Sequence, residues 1–319
     1  MTAPRARPTA ITWAGLTVLA LLAVVPIWTE WADALFYRDL ATRLIILAIA
    51  AVSLNLILGF GGMVSFGHAA FLGIGAYAVG IPAYYEEYSA YLQFPLAIGL
   101  SALFALVTGA ISLRTRGVNF IMITMAFAQM VFFAFVSIEE YGGDDGLVID
   151  VRSEFSGLFD IEDHVIFYYV CFAVLVASIY LVHRITRSRF GMVIEGAKLN
   201  ERRMRAVGYP IYRYKLVCYV ISGALCGLAG ALLGNYEFFV SPSNIEWTKS
   251  GELIFMVVAG GTGHLFGPLF GVVSFLLIEE GLSRITIYWQ ILFGGLLVAF
   301  VLFAPGGIAG MLQRGERNS

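Results

Sequence analysis

Uncharged runs of membrane-crossing length recur from one end of this chain to the other, and they leave it little freedom in fold class. Residues 11–28, 44–60, 92–113, 118–138, 165–182, 216–236 and 288–304 contain no Asp, Glu, Lys or Arg. About 20 apolar residues suffice for a helix to cross a hydrocarbon layer. With 59% hydrophobic and only 13% charged residues, the 319-residue chain has too little polar surface for a soluble domain. The sequence therefore predicts an all-α fold: a polytopic transmembrane helical bundle with about eight full spans. A broken or re-entrant helical pair is expected near the C-terminus, and residues 1–319 form a single transmembrane domain. A formal net charge of −2 argues against a nucleic-acid role.

Direction comes from one strongly basic interruption, residues 183–215. It holds Arg184, Arg187, Arg189, Lys198, Arg202, Arg203, Arg205, Arg213 and Lys215, nearly half of the chain's 20 basic residues. Cytoplasmic loops carry the Lys/Arg excess, so this loop is placed inside and every other span takes its direction from it. Arg5 and Arg7 and the Arg114/Arg116 turn then also fall inside. Residues 139–164 form an external acidic loop, with Glu139, Glu140, Asp144, Asp145, Asp150, Glu154, Asp160, Glu162 and Asp163 against the single Arg152. Ala32-Asp33-Ala34 faintly resembles a signal-peptidase site, but the length of the first run and Trp13, Trp28 and Trp31 favour an anchored span. Residues 253–280 admit two readings: one span, or two arms that dip in and return. Only the second puts Arg314 and Arg317 inside, giving cytoplasmic N- and C-termini.

Within the basic loop, Val193, Ala197, Met204 and Val207 recur at helical spacing, with charges on the remaining turn. This predicts a short amphipathic helix stopped at Gly208 and Pro210. Its apolar stripe has three possible partners: the lipid surface, its own bundle, or a groove on another protein.

Two glycine-rich interruptions attract attention for function. Gly61-Gly62 precedes Ser65, Gly67 and His68; Gly260-Gly261 precedes Gly263 and His264. Irregular backbone at membrane depth is tolerated only where protein or a water-filled cavity covers it, so both are candidate pathway elements. Transporters often carry interrupted helices at corresponding positions of internal repeats, although two glycine turns also match by chance. His68 could line the path or relay protons. Its plainer role is a ring bonded to a carbonyl or to Ser65, tying down the break, with Asn55, Asn119 and Gln129 as further interhelical hydrogen-bonding groups.

Several chemistries are absent from the pattern. Gly73-Ile74-Gly75-Ala76-Tyr77-Ala78 has the letters of a dinucleotide motif but no strand before it, and close helix packing is the better reading. The same holds for the pairs Gly223/Gly227, Gly230/Gly234 and Gly267/Gly271. None of Lys198, Lys215 and Lys249 follows a glycine as a phosphate-binding loop requires, so no ATPase site is expected. The four histidines show no metal-ligand spacing, and Cys171, Cys218 and Cys226 fall inside spans as free buried thiols. Metal and catalytic sites are both expected to be none.

Three stretches carry a family resemblance: LNLILGFGGMVSFGHAAFLGIGAYA at 54–78, the loop SRFGMVIEGAKLNERRMRAVGYPIYRYK, and ISGALCGLAGALLG at 221–234. Together with SPSNIEWTKSGELIFMVVAGGTGHLFGPLFG and VLFAPGGIAGML, they resemble the permease subunits of bacterial branched-chain amino acid ABC importers, in the branch of the larger of two paired permeases. The resemblance spans roughly residues 40–312. It implies an inner-membrane transport subunit that is not itself an enzyme. Its implied partners are a second homologous permease, two ABC ATPase subunits and a periplasmic substrate-binding protein. No cofactor is bound by this chain, and ATP and Mg are used by the ATPase partners. Residues 195–208 become the ATPase-coupling helix, with Glu195, Gly196, Ala197, Asn200, Glu201, Arg202, Arg203 and Gly208 as coupling residues. Ser65, Gly67, His68, Gly260, Gly261 and Gly263 become pathway or helix-break residues. The family's usual acidic pairs and extra alanines are replaced here by Glu195-Gly196-Ala197 and Asn200-Glu201-Arg202-Arg203. Glu201 belongs to an exposed cytoplasmic helix, so reversing its charge is expected to uncouple or weaken ATPase docking without unfolding the bundle. Closely similar permeases serve urea or short amides, and a different-class alternative is an ion-coupled secondary transporter, disfavoured by the lack of acid–base pairs in the spans before the basic loop.

Overall fold

A computed structural model describes residues 10–31, 34–155, 162–303 and 306–311. Arg5, Arg7, Ala32, Asp33, Asp160, Arg314 and Arg317, used above for topology and processing, lie outside the described residues.

The described residues are predominantly helical: α1 (Ala10–Trp31), α2 (Leu35–Asn55), α3 (His68–Tyr84), α4 (Ala90–Ser112), α5 (Val118–Val136), α6 (His164–Thr186), α7 (Arg189–Ala206), α8 (Ile211–Glu237), α9 (Trp247–Gly260), α10 (Gly267–Ser283) and α11 (Trp289–Phe303). Among the described residues, six helical segments are long and apolar enough to cross a membrane: α1, α2 with its π-helical extension Leu56–Phe60, α4, α5, α6 and α8. At a rise of 1.5 Å per residue, the 17 residues of α3 and of α10 reach about 25 Å and the 14 of α9 about 21 Å, short of a ~30 Å hydrocarbon layer. Helix length among the described residues thus supports six of the expected eight spans. The shortfall falls where glycines interrupt the apolar runs: residues 61–67 are irregular rather than the start of a span, and a turn at 261–266 divides α9 from α10. That turn favours the two-arm reading of residues 253–280.

Helices α2 and α8 form the centre, and α2 is buried on nearly every side from Leu44 to Asn55. Against α8, α3 and α4 pack closely, because small residues let backbone meet backbone. A Cβ on Gly75 would collide with the Gly227 carbonyl, and one on Gly230 with that of Leu72. Gly271 and Gly267 bring α10 equally close to α9. By contrast α1 and α5 turn mostly apolar exposed surface outward, among it Trp13, Leu21, Met122, Met130 and Phe133.

Ion pairs and strands identify one face of the bundle. Arg43 of α2 meets Glu279 of α10 at 3.4 Å, and the Arg284 guanidinium lies over Phe36, so α2 starts where α10 ends. On the same face two-residue strands β1 (Leu147–Val148) and β2 (Phe239–Val240) pair antiparallel, with Leu147 opposite Val240, fastening the acidic loop to the end of α8. Arg152 does not face solvent with the acids around it. It is buried, its Nε donates to the Asn235 carbonyl at 3.1 Å, and its guanidinium sits over Phe167 and Phe238. Helix α7, the 113–117 turn, the end of α2 and the 261–266 turn occupy the opposite face.

Candidate functional site: two helix breaks beneath a basic helix

The first break follows from helix chemistry. After Asn55 the α2 ladder widens to i+5 bonding through Leu56–Phe60, and the Leu56, Ile57 and Leu58 carbonyls take the N–H groups of Gly61, Met63 and Gly62. Residues 61–67 then climb back as irregular backbone into α3. Several polar groups along this climb and at the start of α3 find protein partners. The Ser65 hydroxyl accepts from Gly67 N at 3.3 Å and lies 3.5 Å from the Tyr219 hydroxyl; Phe66 N donates to Thr124 Oγ1 at 3.2 Å; Ala69 N donates to Ser250 Oγ at 2.9 Å.

His68 opens α3 and is fully buried. Its Nε2 pairs at 2.9 Å with Ser53 of α2, not with Ser65, and its backbone carbonyl accepts from the Cys226 thiol. The expected tie-down role fits this arrangement with a corrected partner: Ser65 is turned toward Gly67 and Tyr219, while Ser53 lies across the helix interface. Ser222 of α8 extends the seam by donating to the Ser53 carbonyl at 2.5 Å.

The second break sits against the first. Gly261 and Gly263 have φ of +111° and +80°, a region that L side chains rarely adopt. Asn55 holds this turn with both ends of its amide: Oδ1 accepts from Gly263 N at 3.1 Å and Nδ2 donates to the His264 carbonyl at 3.0 Å. Gly59 packs directly on Gly263 N, with no room for a Cβ. Gly260 lies at the close crossing of α9 with α10. Asn119, in contrast, is exposed and Gln129 half-buried, so neither joins Asn55.

Helix α7 lies under the breaks. The predicted amphipathic helix is present, but it is two segments merged across Asn200, whose φ of −157° and ψ of 93° leave the helix region. An Asn side chain competes with the helical ladder and favours caps, and Asn200 Oδ1 accepts from Arg203 N at 3.0 Å, capping the second segment. The stripe accordingly divides. Val193 and Ala197 pack on Ile211 of α8, Met204 lies at the margin, and Val207 is exposed beyond the helix end. Of the three possible partners, the bundle covers the first segment. Glu195, Asn200, Arg202, Arg203 and Gly208 face outward together with Leu199, which is 86% exposed, while Gly196 packs on Met204.

Glu201 is not on the exposed face. Its carboxylate, 17% exposed, takes Arg205 at 2.5 Å, Arg116 of the 113–117 turn at 3.1 Å and Lys215 of α8 at 3.2 Å. Burial alone would raise its pKa, but the Lys215 hydrogen bond and the charges of Lys215, Arg116 and Arg205 outweigh burial and hold it below the ordinary carboxylate range. Beside it a cleft of about 310 Å³ opens between α7, the 113–117 turn and Gly61–Val64, and a second of about 290 Å³ lies between Glu195, Leu199, Thr262 and Gly263. Among the described residues, no cluster of His, Cys, Asp and Glu is arranged to hold a metal.

Sequence reasoning placed both breaks and the basic helix but missed what joins them. Ser53, Ser222 and Ser250 carried no signal beyond being polar in an apolar run. Asn55 reads from sequence as a group that could meet Asn119 and Gln129 rather than the 263–264 turn, and Lys198 only as one charge among several.

A many-helix apolar bundle with paired interrupted helices, small-residue packing and a structured basic helix on one face suits a membrane transport protein. Residues 36–301 match the family described as branched-chain amino acid transport system / permease component, and the chain belongs to that family. It is 28% identical to the high-affinity branched-chain amino acid transport system permease protein LivM of Salmonella typhimurium, over 93% of this chain and 75% of that one. The LivM protein of Escherichia coli is 28% identical over 86% of this chain and 70% of its own. A galactose/methyl galactoside import permease protein, MglC of Salmonella typhimurium, is 26% identical over 42% of each chain. No solved structure matches significantly.

Proposed function

We propose that this chain is a membrane subunit of an ATP-driven importer that carries branched-chain amino acids into the cytoplasm. A second, homologous permease completes the pathway, two ATPase subunits bind the α7 face, and a periplasmic binding protein delivers substrate at the β1–β2 face. The chain binds no cofactor of its own; ATP and Mg act at the ATPase partners. It resides in the bacterial inner membrane, with α7 and both termini on the cytoplasmic side.

The observation that carries this reading is the family match over residues 36–301, together with relatives named for branched-chain amino acid transport along most of their length. The geometry supplies its mechanical half. Glu195, Leu199, Arg202 and Arg203 present charge and an apolar tip outward, while the buried side of the same helix rests on α8 and beneath both breaks. A partner moving α7 therefore pushes on irregular backbone, where φ and ψ can change at less cost than inside a hydrogen-bonded ladder.

Co-purification tests the assembly. The double variant Arg202→Glu/Arg203→Glu leaves every described buried contact in place and should reduce recovery of the ATPase subunits with the chain by about tenfold, with unchanged thermal unfolding. Full recovery would remove α7 as the docking element.

A further inference from the structure

Helix α2 ends in an unusual way. Its last turn is π-helical, and while the Leu56, Ile57 and Leu58 carbonyls take backbone N–H groups, that of Gly59 is met by a cation from another element: Lys198 Nζ donates to it at 2.6 Å. The last four carbonyls of a helix have no partner in the ladder, and the C-terminal end of the helix dipole favours positive charge. Lys198 answers both needs from α7, 139 residues away in sequence.

The residue is exposed, but its stem lies close against backbone. It runs across Gly62, whose φ is +66° and where a Cβ would stand 2.9 Å from Lys198 Cγ. On one side of the stem lies the cleft bounded by Gly61–Val64 and Glu201; on the other lies the cleft bounded by Gly59, Thr262, Gly263 and Glu195. The side chain is a bridge between two openings. The carbonyl it grips belongs to Gly59, the residue packed on Gly263 N, and Asn55 fixes Gly263 and His264 one turn earlier. A displacement of the first segment of α7 thus reaches both breaks through one ammonium group. Glu201 serves the other segment, tying it to α8 and to the 113–117 turn.

We infer that Lys198 is the positioning residue that transmits movement of α7 to the paired helix breaks, by capping the π-helical end of α2 at the Gly59 carbonyl. This rests on the proposed role of α7 as the element moved by ATPase partners.

Lys198→Met keeps the stem over Gly62 and removes the donor; Lys198→Arg keeps a cation and donors. The experiment uses the reconstituted complex with ATPase subunits and binding protein, measuring labelled leucine taken up per ATP hydrolysed. Lys198→Met should assemble and hydrolyse ATP yet lose at least about fivefold in uptake per ATP, and Lys198→Arg should recover most of it. A merely structural lysine would lower uptake and hydrolysis together and leave the ratio unchanged, which would overturn the inference, as would a Lys198→Arg variant no better than Lys198→Met. Hydrogen exchange of residues 56–67 in the same complexes is the second readout. ATP should alter protection there in the unsubstituted complex and not in Lys198→Met; the same ATP response in both would overturn the inference even if the variant lost uptake. Absence of ATP-driven uptake in the unsubstituted complex would instead overturn the functional reading beneath it.

Discussion

Asn55 is the residue on which the two breaks depend together, because its single amide satisfies a donor and an acceptor of the 263–264 turn. Asn55→Leu removes both bonds and leaves Gly263 N–H and the His264 carbonyl unpaired. Such a loss is expected to cost ~1–2 kcal/mol. A lowered unfolding temperature in detergent, with faster hydrogen exchange confined first to residues 260–266, would check it. His68 is held from the other side: Ser53→Ala removes its side-chain partner and should destabilise the fold by a smaller amount, about 1 kcal/mol. Residue types were legible in the sequence; partners were not. A buried polar group inside a membrane must find a bond, so Asn55 and His68 announced that they had one. Which group supplied it depended on contacts 15 and more than 200 positions apart, set by how α2 crosses α3 and α9.

Among the elements, α7 shows how far periodicity reaches. Its apolar spacing correctly gives a helix and a buried side at Val193 and Ala197, but the same spacing runs on through Asn200 to Val207 as though nothing interrupted it. The interruption is a side-chain cap, and a lone Asn in a charged stretch is too weak a signal to outweigh the period. Beyond the kink the Glu201 carboxylate faces Arg116 and Lys215, partners that the apolar spacing does not indicate. The consequence is a pH dependence with a definite sign. Because the folded-state pKa of Glu201 is depressed, its contribution to stability is present above the unfolded carboxylate pKa and is lost as pH falls through the lower folded value. Glu201→Gln should loosen the second segment at neutral pH, seen as faster tryptic cleavage at Arg202 and Arg203, and should remove the acid-induced step in that cleavage. Helix packing gives a second element-scale expectation. Gly75→Leu forces a side chain into the Gly227 backbone and should destabilise the α3–α8 contact by about 1–3 kcal/mol or abolish expression, whereas Gly99→Leu, with open space around it, should be neutral.

At the scale of the whole molecule, the positive-inside pattern and the structure agree on which elements share a face. The Arg43–Glu279 pair places the end of α10 beside the start of α2, as the two-arm reading of residues 253–280 requires. Span counting fared less well, because an apolar run tells where a segment can enter a membrane but not whether its backbone remains helical once other helices cover it. Residues 61–67 and 261–266 are both covered in that way, and they meet on the side where α7 lies. In the proposed function, the two breaks and α7, gathered at one face, are the moving parts of a pathway driven by partner subunits. Uptake of labelled leucine into vesicles holding this chain with its co-purifying partners, with ATP and binding protein each present or omitted, tests that most directly. Uptake that requires both is the predicted result; uptake by this chain alone under an ion gradient, without ATPase subunits, would contradict it.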